Sequence, residues 1–324
     1  MRTYRLIYIF GILLLACPAL HAQSVDYLAK VKEFLDKGDC DRAKLAYQDY
    51  KEFQNSSGNA EVEKKIEECG KEPSFPDGQP CPGTPTVTDY DHNKYNTVQI
   101  GKQCWMKENL RTEHYADGTR IQYGFRDTSS TNGYYYYPFN HSNVAKHGYL
   151  YNWKAVMGNA SPSWANPSGV QGICPNGWHV PSNAEWAQLT DYVGGQSKYV
   201  FGEDKKDIAK SLASTKDWSE GSTLADWLPK EKSWQTGYIS SSGRASDFSD
   251  VCNKPESNNA TGFTAYPAGY YKFNIYNFGS SACFWTSTGY NGDSACDFEI
   301  IGYGYVRNKY ERMSYGLSVR CLRD

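Results

Sequence analysis

Apolar residues fall into two regimes along this chain. Between residues 24 and 69 they recur at helical spacing: Leu28, Val31 and Leu35, then Ala43, Ala46, Tyr47 and Tyr50. Gly38 breaks the first run, and Asp39 or Asp41 is placed to cap the second. "NAEVEKKIEEC" predicts a third, short helix. "KGDCDRAKLAYQDY" resembles a single tetratricopeptide unit, in which small residues let two helices cross closely. One such unit is too short for a solenoid, so the segment is a partner-binding or oligomerising cap, or a spacer. Cys40 begins the second helix and Cys69 ends the third. An antiparallel arrangement brings those ends together and predicts a Cys40–Cys69 bridge.

Residues 70–89, "GKEPSFPDGQPCPGTPTVTD", carry five prolines and read as a linker holding the domain boundary. From about residue 90 the texture changes to short alternating strands and turns. "YNTVQIGKQCWMKENL" alternates around an Ile-Gly-Lys turn and predicts a hairpin. "SNAEWAQLTDYVGG" predicts the clearest helix. Ser182 and Glu185 form a capping box, Trp186, Leu189 and Val193 share a face, and Gly194-Gly195 stops it. "DKKDIAKSLAST" predicts a weaker helix. The stretch from "ACFWTSTGY" to "SYGLSVRCLRD" predicts three antiparallel strands.

Composition narrows the class. The chain has 324 residues, 15% of them aromatic, with 27 Tyr and 9 Trp. Charge is nearly balanced at −2, so nucleic acid is not expected as a partner. Arg2 and Arg5 followed by the apolar run Leu6–Ala16 read as a signal peptide over residues 1–22, cut after Ala22. Its removal brings the net charge to about −4. "LLAC" offers a competing bacterial lipobox with a lipid on Cys17, although Pro18 and the apolar residues after it disfavour that cut. No other stretch is long and apolar enough for a transmembrane span. Nine cysteines remain in the mature chain, so most are expected to pair, with one left over or joined to a partner. No CxxC or zinc-type Cys/His spacing occurs.

Several motifs, taken together and in order, resemble the Fibrobacter succinogenes major paralogous domain, a secreted bacterial module common in Bacteroidetes and Fibrobacteres. They are "YNTVQIGKQCWMKENLRTEHYADGTRI", "GYLYNWKAV", "GICPNGWHVPSNAEWAQLTDYVGG", "TGFTAYPAGYY", "FWTST" and "GLSVRCLRD", and the resemblance covers residues 90–324. That family is similar to the C-type lectin-like group, which also holds the formylglycine-generating enzymes. The resemblance implies an α+β fold whose chain ends pair in one small sheet, with small antiparallel sheets, short helices and long loops carrying any binding site. It also implies a disulfide between Cys174 and Cys321, tying the helical region to the closing strand. Such a bridge takes His179 away from a Cys–His site and leaves it a packed or hydrogen-bonded side chain.

Four chemistries remain to be weighed. An oxidase of the formylglycine type would need a close thiol pair for copper. Cys283 and Cys296 flank the turn "GYNGDS" and are instead expected to form a hairpin disulfide. Calcium would need several oxygens. Asn291, Asp293 and Asp297 offer them near one turn, but "EPN" and "WND" are missing and no cofactor is expected. The histidines, at 21, 92, 114, 141, 147 and 179, show no spacing with a nucleophile, and no GxSxG occurs, so an enzyme is not expected. A binding module fits best. Tyr134, Tyr135, Tyr136 and Tyr137, about half of them expected exposed by strand alternation, and Tyr270, Tyr271 and Tyr276 are the candidate contacts. The expectation is an exported envelope or surface protein that recognises a glycan or a protein. The alternatives are a structural subunit docking through its N-terminal helices or the odd cysteine, and an enzyme on a formylglycine-generating scaffold.

Overall fold

The computed structural model describes residues 26–37, 39–53, 58–69, 76–126, 129–218, 251 and 254–324. The segment expected to be a signal peptide, with Cys17, and Cys252 lie outside the described residues. The chain divides into two compact units, Met1–Pro73 and Ser74–Asp324.

In the first unit, helices α1 (Tyr27–Asp36), α2 (Cys40–Phe53) and α3 (Ala60–Glu68) follow the sequence periodicity. Asp26 caps α1, Asp39 accepts from the amide of Arg42 at the start of α2, and Asn59 caps α3. Val31, Ala43, Ala46, Tyr47, Val62 and Ile66 form a small core. The Cys40–Cys69 bridge joins the start of α2 to the end of α3, with Cα atoms 5.4 Å apart.

The second unit is α+β. Its main sheet runs β1-β2-β3-β13-β7 and is antiparallel throughout. The strands are β1 (Thr86–Thr88), β2 (Lys94–Ile100), β3 (Gln103–Met106), β7 (Trp178–His179) and β13 (Leu322–Arg323). The last strand therefore lies between the opening hairpin and the strand before the main helix. The β2–β3 turn needs Gly101: its φ is +56° and an added Cβ would meet the Tyr192 ring at 2.9 Å. A second sheet joins β4 (Gln122–Tyr123), β5 (Tyr134–Tyr136) and β6 (Leu150–Tyr151). β8 (Tyr270–Lys272) and β9 (Asn274–Tyr276) form a hairpin, and β10 (Ser281–Gly289), β11 (Ser294–Ile301) and β12 (Val306–Arg312) form a three-stranded antiparallel sheet.

That last sheet separates two cores. Cys283, Trp285 and Ala295 face the first, with Trp153 and Trp178. Phe284, Phe298, Ile300 and Val306 face the second, with Trp105 and Trp186. Helix α6 (Asn183–Gly194) inserts Trp186, Leu189 and Val193 into the second core, and Trp186 stacks on Phe298 at 4.3 Å. Its capping box is formed by Ser182 and Glu185. The described residues of the unit also form three single-turn α-helices, α4 (Val144–His147), α5 (Trp153–Met157) and α7 (Ala209–Leu212). The helix expected over "DKKDIAKSLAST" shrinks to α7.

Residues 76–89 are part of this unit rather than a linker. Gly78 donates to the carbonyl of Gln99, and Gln99 donates to that of Gln79, so the Pro-rich strip runs along β2. Asp77 accepts from the amide of Gly101 and from the hydroxyls of Tyr192 and Tyr199. A bridge not expected from the sequence, Cys81–Cys104, fixes it covalently. The Cys174–Cys321 bridge ties the approach to β7 to the entry of β13.

Cys283 and Cys296 are not bridged; both are buried thiols. The register explains the correction. Cys283 pairs with Glu299 and Cys296 with Tyr310, so strand alternation puts the two sulfurs on opposite faces of the sheet. The same geometry prevents them from holding one copper ion.

Candidate functional site

A polar cleft of about 460 Å³ is lined by Asp91, Asn93, Arg111, Glu113, His141, Ser142, Val144, Ala145 and Tyr149. Its floor comes from two separated loops. The first is the β1–β2 turn. Asp89 closes it by accepting from the amide and side chain of Asn93, and Tyr95 bonds the same carboxylate at 2.5 Å. The Tyr95 hydroxyl also accepts from the amide of Arg111, which starts the second loop.

Asp91 joins the two loops. One oxygen accepts from Thr112 Oγ1 at 2.7 Å and from the amides of Glu113 and His114, and the other contacts His114 Nδ1 at 2.5 Å. Burial pushes the Asp91 carboxyl up, but these hydrogen bonds outweigh it and hold the group below the usual carboxylate range. Glu113 is thereby aimed at Tyr149, whose hydroxyl donates to Oε1 at 2.9 Å, and Arg120 lies 4.0 Å from Oε2. Burial, and then the hydrogen bond to Glu113, raise the Tyr149 pKa, so the phenol stays a donor at neutral pH. Arg111 donates to the carbonyl of Lys94 and lies over the Tyr95 ring at 4.7 Å.

Aromatic rings continue from the cleft wall to the surface. Tyr149 packs on Tyr135 at 4.5 Å and on Tyr137 at 5.8 Å, and Tyr137 meets Tyr123 at 4.7 Å and His141 at 5.3 Å. Tyr123 leads to Phe125 at 6.4 Å. Tyr123 is 43% exposed and Phe125 70% exposed, with Arg126 over the Phe125 ring at 5.4 Å, so the series leads from Tyr149 in the cleft wall, by way of Tyr137, to exposed rings outside the cleft. Such a set can stack on the C–H face of a ligand while bonding its polar groups.

The tyrosines singled out in the sequence divide differently from the expected alternation. Tyr134, Tyr135 and Tyr136 are all buried, because β5, the central strand of its sheet, is covered on both faces. Tyr135 enters the first core, while Tyr134 and Tyr136 join Tyr271 and Ile275 in another cluster. Tyr136 stacks on Tyr271 at 3.9 Å, so the two tyrosine-rich segments do meet, but as interior. Tyr137, half-buried, reaches the cleft's ring series. Tyr270 is half-buried between Tyr276 and Tyr315, and Tyr276 is exposed; neither lines the cleft.

Asp91, Asn93, Arg111, Glu113, Tyr123 and Phe125 were not selected from the sequence. The available signal was the local density of charge and histidine in "DYDHN" and "RTEHYADG". The oxygens considered for calcium do not form one set. Asn291 Oδ1 accepts the amides of Asp293 and Ser294 to close the turn, while Asp297 lies fully buried in the sheet. Burial lifts the Asp297 carboxyl to about 8, so it is protonated at neutral pH. Among the described residues no group of three or more His, Cys, Asp or Glu side chains is arranged to hold a metal ion. Nor does any described helix have the length and apolarity to cross a membrane. His179 sits between Glu185 at 2.7 Å and Asp324 at 2.6 Å, a buried structural bridge.

A protein-family model described as Fibrobacter succinogenes major domain matches residues 98–323. No curated protein matches the chain, and no solved structure does.

Proposed function

The chain belongs to the Fibrobacter succinogenes major domain family, and from that premise we propose that it is an exported envelope or surface protein that binds a glycan without catalysis. The carrying observation is the run of rings from Tyr149, which shares the cleft with Glu113 and Arg111, through Tyr137 to the exposed rings of Tyr123 and Phe125. Sugars present a C–H face that stacks on aromatic rings and hydroxyls that bond carboxylates and guanidinium groups. The lectin-like grouping implied by the sequence motifs agrees with such a role, and the three disulfides suit folding in an oxidising compartment.

The geometry favours binding over hydrolysis. A glycosidase of the usual kind needs two free carboxyl groups flanking the bond. Asp91 has both oxygens committed to Thr112, Glu113 and His114, and Glu113 already accepts from Tyr149 and lies 4.0 Å from Arg120, so neither carboxylate lining the cleft is free to flank a bond.

A glycan array probed with the mature chain tests the proposal. The expected result is selective binding that Phe125→Ala and Glu113→Gln each reduce, with the bound oligosaccharide recovered uncut. Failure to retain any glycan, or release of cleaved products, contradicts it.

A further inference from the structure

The three-stranded sheet β10-β11-β12 has one open edge. The outer side of β10 is occupied, since Trp285 donates to the carbonyl of Ser318 and Ser318 donates to that of Cys283. Among the described residues, no strand pairs with the outer side of β12. Two bonds flanking the β11–β12 ladder fix which of its backbone groups point outward. Ile301 donates to Tyr305 and Met313 donates to Asp293, at either end of a register in which Asp297 faces Lys309. Odd-numbered pairs are therefore the hydrogen-bonded ones, and Asn308 and Tyr310 aim their N–H and C=O groups away from β11. Among the described residues no other segment bonds the backbone of Asn308 or Tyr310. Both side chains are exposed, Tyr310 by 55%, with its ring held against Tyr290 at 3.8 Å.

An unpaired edge of this length is a template for another strand. We propose that β12 pairs antiparallel with β12 of a second copy of this chain, about a two-fold axis at Tyr310. Within one chain Lys309 pairs with Glu311 at 2.8 Å and with Glu299 at 3.4 Å, and charge favours the register that extends this pairing across the two copies. Tyr310 then faces its own equivalent, Lys309 of each copy faces Glu311 of the other, and Asn308 faces Arg312. Shifting by one pleat in either direction puts Lys309 against Lys309 or Glu311 against Glu311, and like charges directly opposed destabilise a strand pair. The interface is isologous, as a closed dimer requires.

Sedimentation of the mature full-length chain from about 1 to 100 μM reads the association directly. The wild type is expected to dimerise in that range. Asn308→Pro and Tyr310→Pro each delete one outward N–H while leaving the ladder to β11 intact, and each is expected to raise the dimer dissociation constant at least tenfold. Glu311→Lys, which opposes Lys309 with a second lysine, is expected to do the same. A chain that stays monomeric, or a dimer indifferent to both proline variants, overturns the proposal. Amide exchange of the unmodified protein is independent of how well the variants fold. Asn308 and Tyr310 are expected to exchange more slowly at the high concentration than at the low one, and equal rates overturn the proposal as well. Neither readout involves glycan, so its failure is distinct from failure of the cleft.

Discussion

Replacing Arg320 by methionine perturbs the most heavily bonded side chain of the interior. Arg320 is fully buried. Its Nε and Nη2 donate to Asn109 Oδ1 at 3.1 and 2.9 Å, and Nη2 also donates to the carbonyl of Thr264 at 2.9 Å. Nη1 donates to the carbonyls of Met106 and Phe263. The guanidinium lies over Phe263 at 4.4 Å and Phe284 at 5.6 Å. No carboxylate is among its hydrogen-bond partners, and desolvation pulls its pKa down to about 9, which leaves it charged at neutral pH. Methionine fills much of the volume but strands four acceptors. Orphaned buried acceptors cost about 1–3 kcal/mol each. Against that, removing a buried charge with no counter-ion returns several kcal/mol of desolvation. The expected net loss is about 3–4 kcal/mol. Lysine keeps the charge but has three donors for five bonds, and is expected to lose about 2–3 kcal/mol. Guanidinium chloride unfolding with the disulfides intact, followed by tryptophan fluorescence, measures both. A loss under about 1 kcal/mol for Arg320→Met would refute the reasoning, because the five bonds would then be worth no more than the desolvation they offset.

Other outcomes follow from named contacts. Burial lowers the His179 pKa, but hydrogen bonds to Glu185 and Asp324 outweigh it, so the folded value is raised. Its stabilisation is therefore complete below about pH 6.5 and lost as pH rises through the folded pKa; the stability gap between wild type and His179→Gln should shrink from pH 5.5 to 8.5 in denaturant titrations, and a gap that widens contradicts the assignment. Cys81→Ser with Cys104→Ser opens a loop with a sequence separation of 23 residues and should cost about 3 kcal/mol in the chain-entropy account, read as a lower denaturant midpoint. Peptide mapping after alkylation should find Cys283 and Cys296 unmodified in the native protein and both modified in denaturant. Burial raises both thiol pKa values, and a Cys283–Cys296 peptide would contradict the register.

Local patterns in the sequence anticipated local structure. The period of Leu28, Val31 and Ala43 marked the first helices, Ser182 and Glu185 marked the start of α6, and the Ile100–Gly101 turn marked the first hairpin. The Cys174–Cys321 bridge followed from family resemblance, because nothing within either segment points to the other. The Pro-rich strip does hold the division between the two units, at Pro73 and Ser74, but from residue 76 it belongs to the second unit, and the reason it reads as a linker is physical. Its pairing with β2 uses the backbone of Gly78 and Gln79, and backbone pairing leaves no hydrophobic period. Alternation in Tyr134–Tyr136 correctly separates two faces, but it cannot say that both are covered. The cleft was hidden because it is assembled by Asp91 from loops more than twenty residues apart, each unremarkable alone.

The central claim is that the exposed rings at the end of the series from Tyr149 bind sugar. Calorimetric titration of the best array glycan into wild type and into Tyr123→Ala/Phe125→Ala tests it most directly, since both side chains are exposed and neither is part of a buried core. Two stacking rings worth about 0.5–1.5 kcal/mol each predict a dissociation constant raised roughly 5- to 150-fold, and Phe125→Ala alone, which leaves the Tyr123–Tyr137 contact in place, raises it by about half that energy. Unchanged affinity in the double variant would place recognition elsewhere and contradict the account.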